Sequence, residues 1–342
     1  MAGITRSRTA ASGGGQLPTI AFFGSQTWTP SYDVTAKVFV IGAGGGGAAK
    51  YDMNGKCSGG GAGGCAVSEL TFVSGTAYTI TIGAGGTGEP ATNAAYSSDA
   101  AGNGDDGGNS SLSGSGISTM TANGGSGGVH VNSASDACLG GAGGSASGGT
   151  LGNFTGGAGG LLTGIGDHSG SGGGAVGLWT TGNAAPVGTT DGHVGKMGGS
   201  INWDHDTFTA AYSLNAGHPT NTGFFNSPVP SLPAFADLVT LEREYQGTYY
   251  DNSVSTHSGL TQTRPSGYVI SYRNQYYSSK YYGGIAGPFC GGLGWGNVTS
   301  AAYAGKGCLG GGGGAASASS AVSCYGGTGG SGGVLIFPSS IG

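Results

Sequence analysis

The sequence is poor in charge. Only 8% of its 342 residues are Asp, Glu, Lys or Arg, and 11 basic against 16 acidic residues leave a net charge of −5. A nucleic-acid-binding surface needs a basic stripe, so the composition disfavours nucleic acid as a partner. The sequence also lacks a run of 18 apolar residues, so we expect no insertion into a membrane by a helix.

Proline is scarce, with 11 residues, and glycine does not recur strictly at every third position, which excludes collagen. The abundant residue is glycine, with 81 copies. Glycine in a helix interior costs ~1 kcal/mol relative to alanine, which excludes a coiled coil or a helical bundle. Ordering glycine also costs roughly 0.5–1 kcal/mol more than ordering alanine. A folded chain must therefore gain stability from hydrogen bonds between closely packed backbone segments.

The glycines are unevenly distributed, and this divides the chain. Residues 203–282 hold 5 of the 81 glycines but 10 of the 16 tyrosines. We predict an extended N-terminal arm over 1–20, a glycine-rich frame over 21–202 and 284–342, and a tyrosine-rich insert over 203–283.

The frame contains strand signals separated by glycine runs. Alternating or β-branched segments predict strands over 33–41, 66–73, 77–82, 117–122 and 334–337. The two-residue turn Ser74-Gly75 predicts a hairpin between the second and third of these. The glycine runs could form left-handed extended helices with three residues per turn, whose amides are satisfied by neighbouring runs. The alternative is that these runs are flexible loops.

The insert has a different pattern. Apolar residues at helical spacing follow Pro233 and predict one short helix over 234–245, and a strand is expected over 268–272. The predicted fold class is therefore mainly β and irregular. It is a glycine-rich domain of short strands with packed polyglycine-type extended helices, and one short helix in the insert.

Three motifs suggest chemistry only weakly. The strand and glycines at 38–47 have the pattern of a dinucleotide-binding turn, but no helix of sufficient length can follow them. The segment 102–107 resembles part of a calcium-binding nonapeptide, occurs once, and is interpreted as a polar turn. Asp204-His205-Asp206 is interpreted as a solvated loop. We expect no catalytic site, no metal and no cofactor.

Six cysteines are scattered along the chain, at positions 57, 65, 138, 290, 308 and 324. Disulfide frameworks are typical of short secreted chains, so free buried thiols are the preferred interpretation. Disulfides remain the alternative, with Cys57/Cys65 and Cys308/Cys324 as the pairs to test.

Aromatic residues are the best candidates for a binding surface. Tyrosine offers a large contact area at a small cost in side-chain entropy, and its ring faces suit sugars. The alternative is that these tyrosines form the core of the insert or a subunit interface. The candidate contact residues are Trp179, Trp203, Tyr249, Tyr250, Tyr276, Tyr277, Tyr281, Tyr282 and Trp295.

An ordered series of motifs in the frame resembles the glycine-rich domains of bacteriophage tail fibres and tail-tip adhesins. The series begins with Gln-Thr-Trp-Thr-Pro and continues through strands and glycine runs to Val-Leu-Ile-Phe, at 26–30, 38–47, 59–64, 66–72, 74–75, 78–86, 107–112 and 329–337. The resemblance covers roughly 22–200 and 284–338. The long insert and the N-terminal arm depart from it.

The resemblance implies a virion protein, assembled in the host cytoplasm, whose rigid scaffold displays variable loops to the host surface. We therefore expect a non-catalytic fibre or adhesin subunit that binds a host glycan or an outer-membrane protein. The alternative is a structural virion protein, for capsid decoration or fibre connection, anchored in other virion proteins by its arm. Fibre resemblance also implies a homotrimer.

Overall fold

Strands make up the regular structure of the part of the chain that the structure describes. The computed structural model describes residues 6–7, 20–50, 56–91, 101–132, 136–162, 173–174, 176–177, 181–182, 184–185, 261–263, 269–271, 275–277, 280–282, 291–292, 294–298, 301–318 and 323–341. These residues contain no helix, and none of their segments forms a helix that could cross a membrane. The helix predicted over 234–245 lies outside the described residues.

The strands are short, with three longer ones near the ends of the frame. In chain order they are β1 (Arg6–Ser7), β2 (Ile20–Phe22), β3 (Gln26–Trp28), β4 (Val34–Ile41), β5 (Ala49–Lys50), β6 (Lys56–Cys57), β7 (Cys65–Phe72), β8 (Tyr78–Thr81), β9 (Pro90–Ala91), β10 (Ala101–Gly102), β11 (Ser110–Gly114), β12 (Met120–Ala122), β13 (His130–Val131), β14 (Ala146–Ser147), β15 (Gly152–Phe154), β16 (Thr261–Thr263), β17 (Val269–Ser271), β18 (Gln275–Tyr277), β19 (Lys280–Tyr282), β20 (Trp295–Val298), β21 (Ala301–Tyr303), β22 (Ala316–Ala318), β23 (Cys324–Tyr325) and β24 (Gly333–Ile341).

Two antiparallel sheets form a sandwich at one end of the molecule. One has six strands in the order β1-β2-β24-β4-β7-β15, and the other has five in the order β14-β12-β11-β8-β3. Alternating apolar side chains of both sheets meet in one core, as expected for half-buried strands. The buried members of that core are Phe22, Val34, Ala36, Val38, Val40, Ala66, Phe72, Tyr78, Ile80, Leu112, Met120, Ala122, Val334 and Ile336.

The predicted strands are confirmed at these positions, with shifted ends, but the hairpin prediction is wrong. β7 pairs with β4 and β15, whereas the next strand, β8, pairs with β3 and β11 in the other sheet. The tight turn itself is present, and Gly75 has a φ of 72°, which favours glycine. The turn carries the chain from one layer to the other because Phe72 and Tyr78 both face the core between them.

Part of the predicted arm belongs to the sandwich. Arg6 and Ser7 pair antiparallel with Ala21 and Ile20, so β1 forms an edge of the six-stranded sheet. The domain boundaries at 20, 202 and 283 stay predictions.

A second group of short strands lies at the other end of the glycine runs, here called the far end. They form a four-stranded sheet (β10-β5-β22-β20), a five-stranded sheet (β18-β19-β21-β23-β9) and the pair β13-β6, while β16 and β17 form an antiparallel pair of their own. Strands of the first three groups contact one another: β5 contacts β6, β9 and β23, and β21 contacts β20.

The glycine runs connect the sandwich with the far end. The described runs are residues 42–48, 58–64, 83–89, 103–109, 123–130, 139–145, 155–161, 304–308, 310–316 and 326–332. The first leads from β4 in the sandwich to β5 at the far end, and the second returns from β6 to β7. Successive runs thus alternate in direction.

The run 42–48, here called the central run, exchanges hydrogen bonds with six other runs. Its N–H groups donate to three antiparallel runs over 2.8–3.1 Å, and every third residue donates to the same run. Gly42, Gly45 and Ala48 donate to Gly64, Gly61 and Ser58 of the first run. Ala43 and Gly46 donate to Gly108 and Asp105 of the second, and Gly44 and Gly47 donate to Gly330 and Gly327 of the third. Its carbonyls accept from three parallel runs with the same recurrence: Ala43 and Gly46 from Gly125 and Gly128, Gly44 and Gly47 from Gly86 and Glu89, and Gly45 and Ala48 from Gly313 and Ala316.

The runs lie so close together that most of their glycines have no room for a side chain. A Cβ on Gly45 would overlap the carbonyl of Ser126, and one on Gly44 would overlap the carbonyl of Gly311. Real Cβ atoms do not approach backbone atoms this closely. The described glycine runs are therefore hydrogen-bonded scaffold, which differs from the flexible-loop alternative.

Candidate functional site

Tyrosines come together on the five-stranded sheet at the far end. The β18-β19 pair places Tyr276 opposite Tyr281. β19 continues parallel to β21, where Tyr282 is paired with Tyr303, and β21 continues parallel to β23, where Tyr303 is paired with Tyr325. One register position thus carries a tyrosine on each of three neighbouring strands.

Tyr303 and Tyr325 form a parallel stack. Their ring centroids are 4.5 Å apart, their planes differ by 3°, and both side chains are half-buried. Because the rings cover each other's inner faces, those faces are not available to a ligand. Neither residue was among the sequence candidates. The available signal is that each directly precedes a glycine run, at Ala304-Gly305 and Gly326-Gly327.

The other sequence candidates are placed as follows. Tyr276 and Tyr277 are in β18, and Tyr281 and Tyr282 are in β19. Trp295 begins β20, which belongs to the four-stranded sheet and contacts β21. Trp179, Trp203, Tyr249 and Tyr250 lie outside the described residues.

Two buried lysines, which the sequence did not single out, bind polar groups at the far end. Lys50 and Lys56 are each 1% exposed. Lys50 Nζ donates to Asn132 Oδ1 over 2.6 Å, and Lys56 Nζ donates to the carbonyl of Asp136 over 2.9 Å. A buried ammonium needs such acceptors, so these bonds connect Asn132 and Asp136 to β5 and β6, the strands at the ends of two runs.

Burial and nearby charge shift two ionisable groups at this end. Burial lowers the pKa of His130, and the ammonium of Lys50 lowers it further, which favours the neutral imidazole. Burial raises the pKa of Glu89, and the neighbouring carboxylate of Asp105 raises it further. Glu89 directly precedes β9, whose Pro90 is paired with Tyr325.

The alternation of strands with hydrogen-bonded glycine runs has a counterpart among known protein families. The profile of the Glycine-rich domain family matches residues 19–337. The chain belongs to this family. No curated protein matches the sequence.

The described cysteines of the glycine-rich domain are buried and form no disulfide. This holds for Cys57, Cys65, Cys138, Cys308 and Cys324, so the preference for thiols over disulfides is confirmed for these five, and neither suggested disulfide forms. Cys290 lies outside the described residues. No group of His, Cys, Asp and Glu among the described residues is arranged to hold a metal ion.

Burial also controls the reactivity of the thiols. It raises the pKa of Cys57 and of Cys65, and it raises the pKa of Cys138 to about 11. Because the thiolate is the reactive form, we expect these three residues to resist alkylation at pH 8 in the folded protein. Mass spectrometry of alkylated peptides should find them modified only after denaturation. Rapid labelling of Cys57 or Cys65 without denaturant would contradict the burial described for the far end and the sandwich.

Two weak motifs have structural roles in the glycine-rich domain. At 38–47 the strand β4 leads into the central run instead of a helix, so the helix N-terminus that a dinucleotide phosphate requires is missing at this site. The segment 102–107, predicted to be a polar turn, is instead extended: Ala101 and Gly102 form β10, and the next residues begin a glycine run.

Proposed function

We propose that the glycine runs are polyglycine-type helices with three residues per turn, packed side by side as a lattice. In such a helix, successive residues point their peptide groups in three directions, so neighbours recur at every third residue. The recurrence of acceptor and donor runs around the central run supports this arrangement. Six neighbours are the number that close packing of parallel rods provides.

We propose that the protein is a phage virion fibre or adhesin subunit that recognises a host glycan or an outer-membrane protein without catalysis. The observation that carries the proposal is the register of tyrosines on β18, β19, β21 and β23, at one end of a hydrogen-bonded scaffold. Aromatic clusters of this kind are typical of recognition surfaces. The loops of the far end and the insert would display the remaining aromatic candidates.

A rigid scaffold favours binding by such a surface. Association loses affinity whenever loops and side chains must be ordered on contact. The rings of Tyr303 and Tyr325 are stacked on each other, and Asn132 and Asp136 are bonded to the buried ammonium groups of Lys50 and Lys56, before any ligand arrives. The far end therefore offers contact groups at a low entropic cost.

The alternative function is structural: capsid decoration or fibre connection, with the arm contacting other virion proteins. Exposed apolar side chains on the sandwich favour it, because such groups are common in protein interfaces. Tyr32, Val73 and Ile341 are 41%, 51% and 42% exposed, and they lie at the same end of the neighbouring strands β4, β7 and β24. Both functions are compatible with a homotrimer in the virion.

The two functions are separated by substituting tyrosines at the far end. We expect Tyr276→Ser with Tyr281→Ser to weaken binding of the isolated protein to susceptible cells about 100-fold, since each lost contact costs about 1.4 kcal/mol. The matched control is Tyr32→Ser, an exposed tyrosine at the sandwich, which should bind as the wild type does.

Cell binding by titration with labelled protein measures the effect, and thermal melting confirms that the variants fold. Equal binding by the double variant and the wild type would reject the far-end tyrosines as contacts. Electron microscopy of labelled particles then locates the protein in the virion. A position at a distal tip supports the adhesin function, and a position in the shell or neck supports the structural alternative.

A further inference from the structure

Three side chains of the run 103–109, here called the ladder run, form a regular series. Asn103, Asp106 and Asn109 are spaced three residues apart. Their Oδ1 atoms accept hydrogen bonds from the backbone N–H groups of His130, Gly127 and Gly124, over 3.0, 2.7 and 3.0 Å. The three donors have the same spacing in the opposite direction, so the bonds form a ladder between two antiparallel runs.

The donors belong to the run 123–130, here called the capped run. N–H groups three residues apart on a run point in the same direction and are here called a row, so the run has three rows. The donors to the ladder form one of them. A second row, Gly125 and Gly128, donates to the central run. A third row donates to the carbonyls of Ser145 and Ala142 from Asn123 and Ser126, and to the Ser58 hydroxyl from Val129. The ladder row differs from both because all three of its acceptors are side-chain oxygens.

The ladder therefore occupies the place of a missing neighbour. In the central run, each of the three rows of N–H groups meets the carbonyls of a complete run. Carbonyls that serve one row recur at every third residue, and the oxygens of Asn103, Asp106 and Asn109 recur with the same period. A row of unpaired peptide donors would otherwise be a template for another chain, as an exposed strand edge is.

We infer that the row of Gly124, Gly127 and His130 is a docking edge for one further glycine run, and that the ladder closes this edge against a second copy of the chain. The inference does not depend on the proposed function. It concerns this edge alone, so an oligomer through another surface is compatible with it.

The occupant follows from the packing of the runs. Most glycines in this scaffold lie where a Cβ would overlap a neighbouring carbonyl, so only a segment without side chains at the contact can approach to hydrogen-bonding distance. Such segments are unusual in ordinary proteins, and this chain contains many of them. A second copy is thus the partner best suited to an opened edge.

The test removes the ladder and follows both the amides and self-association. In Asn103→Ala with Asp106→Ala and Asn109→Ala, we expect hydrogen exchange in peptides covering 123–130 to accelerate at least about 10-fold at low protein concentration. At high concentration, sedimentation velocity should show a species larger than that of the wild type. The control is Asp105→Ala, which removes one negative charge, as the triple variant does, but no member of the ladder.

Each outcome decides one part of the inference. Unchanged exchange at 123–130 would show that the side chains do not cap the row. Faster exchange without a larger species at any concentration would overturn the docking edge. If the triple variant does not fold, Asp106→Ala replaces it, and Asp106→Asn, which keeps an acceptor at Oδ1, should restore wild-type exchange and sedimentation.

Discussion

Gly45→Ala is expected to destabilise the folded protein by at least about 3 kcal/mol, and to lower the melting temperature by about 10 °C. Gly45 lies in the middle of the central run, where a Cβ would overlap the carbonyl of Ser126. To make room, the central run must move away from the run 123–130, which weakens the bonds from Gly125 to Ala43 and from Gly128 to Gly46, 2.9 and 2.8 Å long. Thermal melting followed by circular dichroism measures the loss.

The matched control is Gly333→Ala, at the point where a glycine run ends in β24. The nearest atom to its Cβ would be Cδ1 of Leu309, at 3.2 Å, and a leucine side chain can shift. We expect a change within about 1 kcal/mol, because no backbone has to move. Equal melting temperatures for the two variants would mean that close backbone packing is not what requires glycine in the central run. Alanine itself is not excluded from the runs, since Ala43 and Ala62 are buried there.

Phe72→Ala is expected to cost about 3–5 kcal/mol of the free energy of unfolding, because it leaves a cavity between the two sheets of the sandwich. The Phe72 ring packs edge-on against Trp28 and Tyr78, with centroid distances of 4.9 Å in both cases. Trp28 and Tyr78 belong to the five-stranded sheet of the sandwich, whereas Phe72 belongs to the six-stranded sheet. The Phe72 side chain therefore contacts both layers of the sandwich.

The control is Val73→Ala, the next residue along the chain. Val73 is 51% exposed, and its backbone N–H keeps its bond to the Tyr78 hydroxyl in the variant. Denaturant unfolding should give a midpoint for Val73→Ala close to that of the wild type. A small effect of Phe72→Ala, comparable with the control, would argue against a single core shared by the two sheets.

The sandwich strands could be predicted from the sequence because their apolar residues alternate, as in Val34 to Ile41 and Cys65 to Phe72. Their pairing could not be predicted in the same way. A two-residue turn at Ser74-Gly75 is compatible with a hairpin, and only the demand that Phe72 and Tyr78 face the same core sends β8 into the other sheet. Alternation specifies a face and not a partner strand.

The candidate site, too, could be predicted from the sequence only in part. Adjacent tyrosines such as Tyr281-Tyr282 are conspicuous in the sequence, whereas Tyr303 and Tyr325 are single residues beside glycine runs, 22 positions apart, and come together only through parallel pairing of β21 and β23. The ladder of Asn103, Asp106 and Asn109 has a three-residue period that becomes informative only when the partner run is known.

The position of β24 has a consequence for the order in which the protein can fold. β24 lies between β2 and β4, and the run before it donates to and accepts from runs that precede it by more than 200 residues. Contacts of such sequence separation slow folding, and strands awaiting a late partner expose their edges. During synthesis, β2 can pair with β1 and β4 with β7, but the edges of β2 and β4 that face β24 remain unpaired until residues 333–341 have left the ribosome. Coexpression of a chaperone that binds nascent chains should therefore raise the yield of soluble protein.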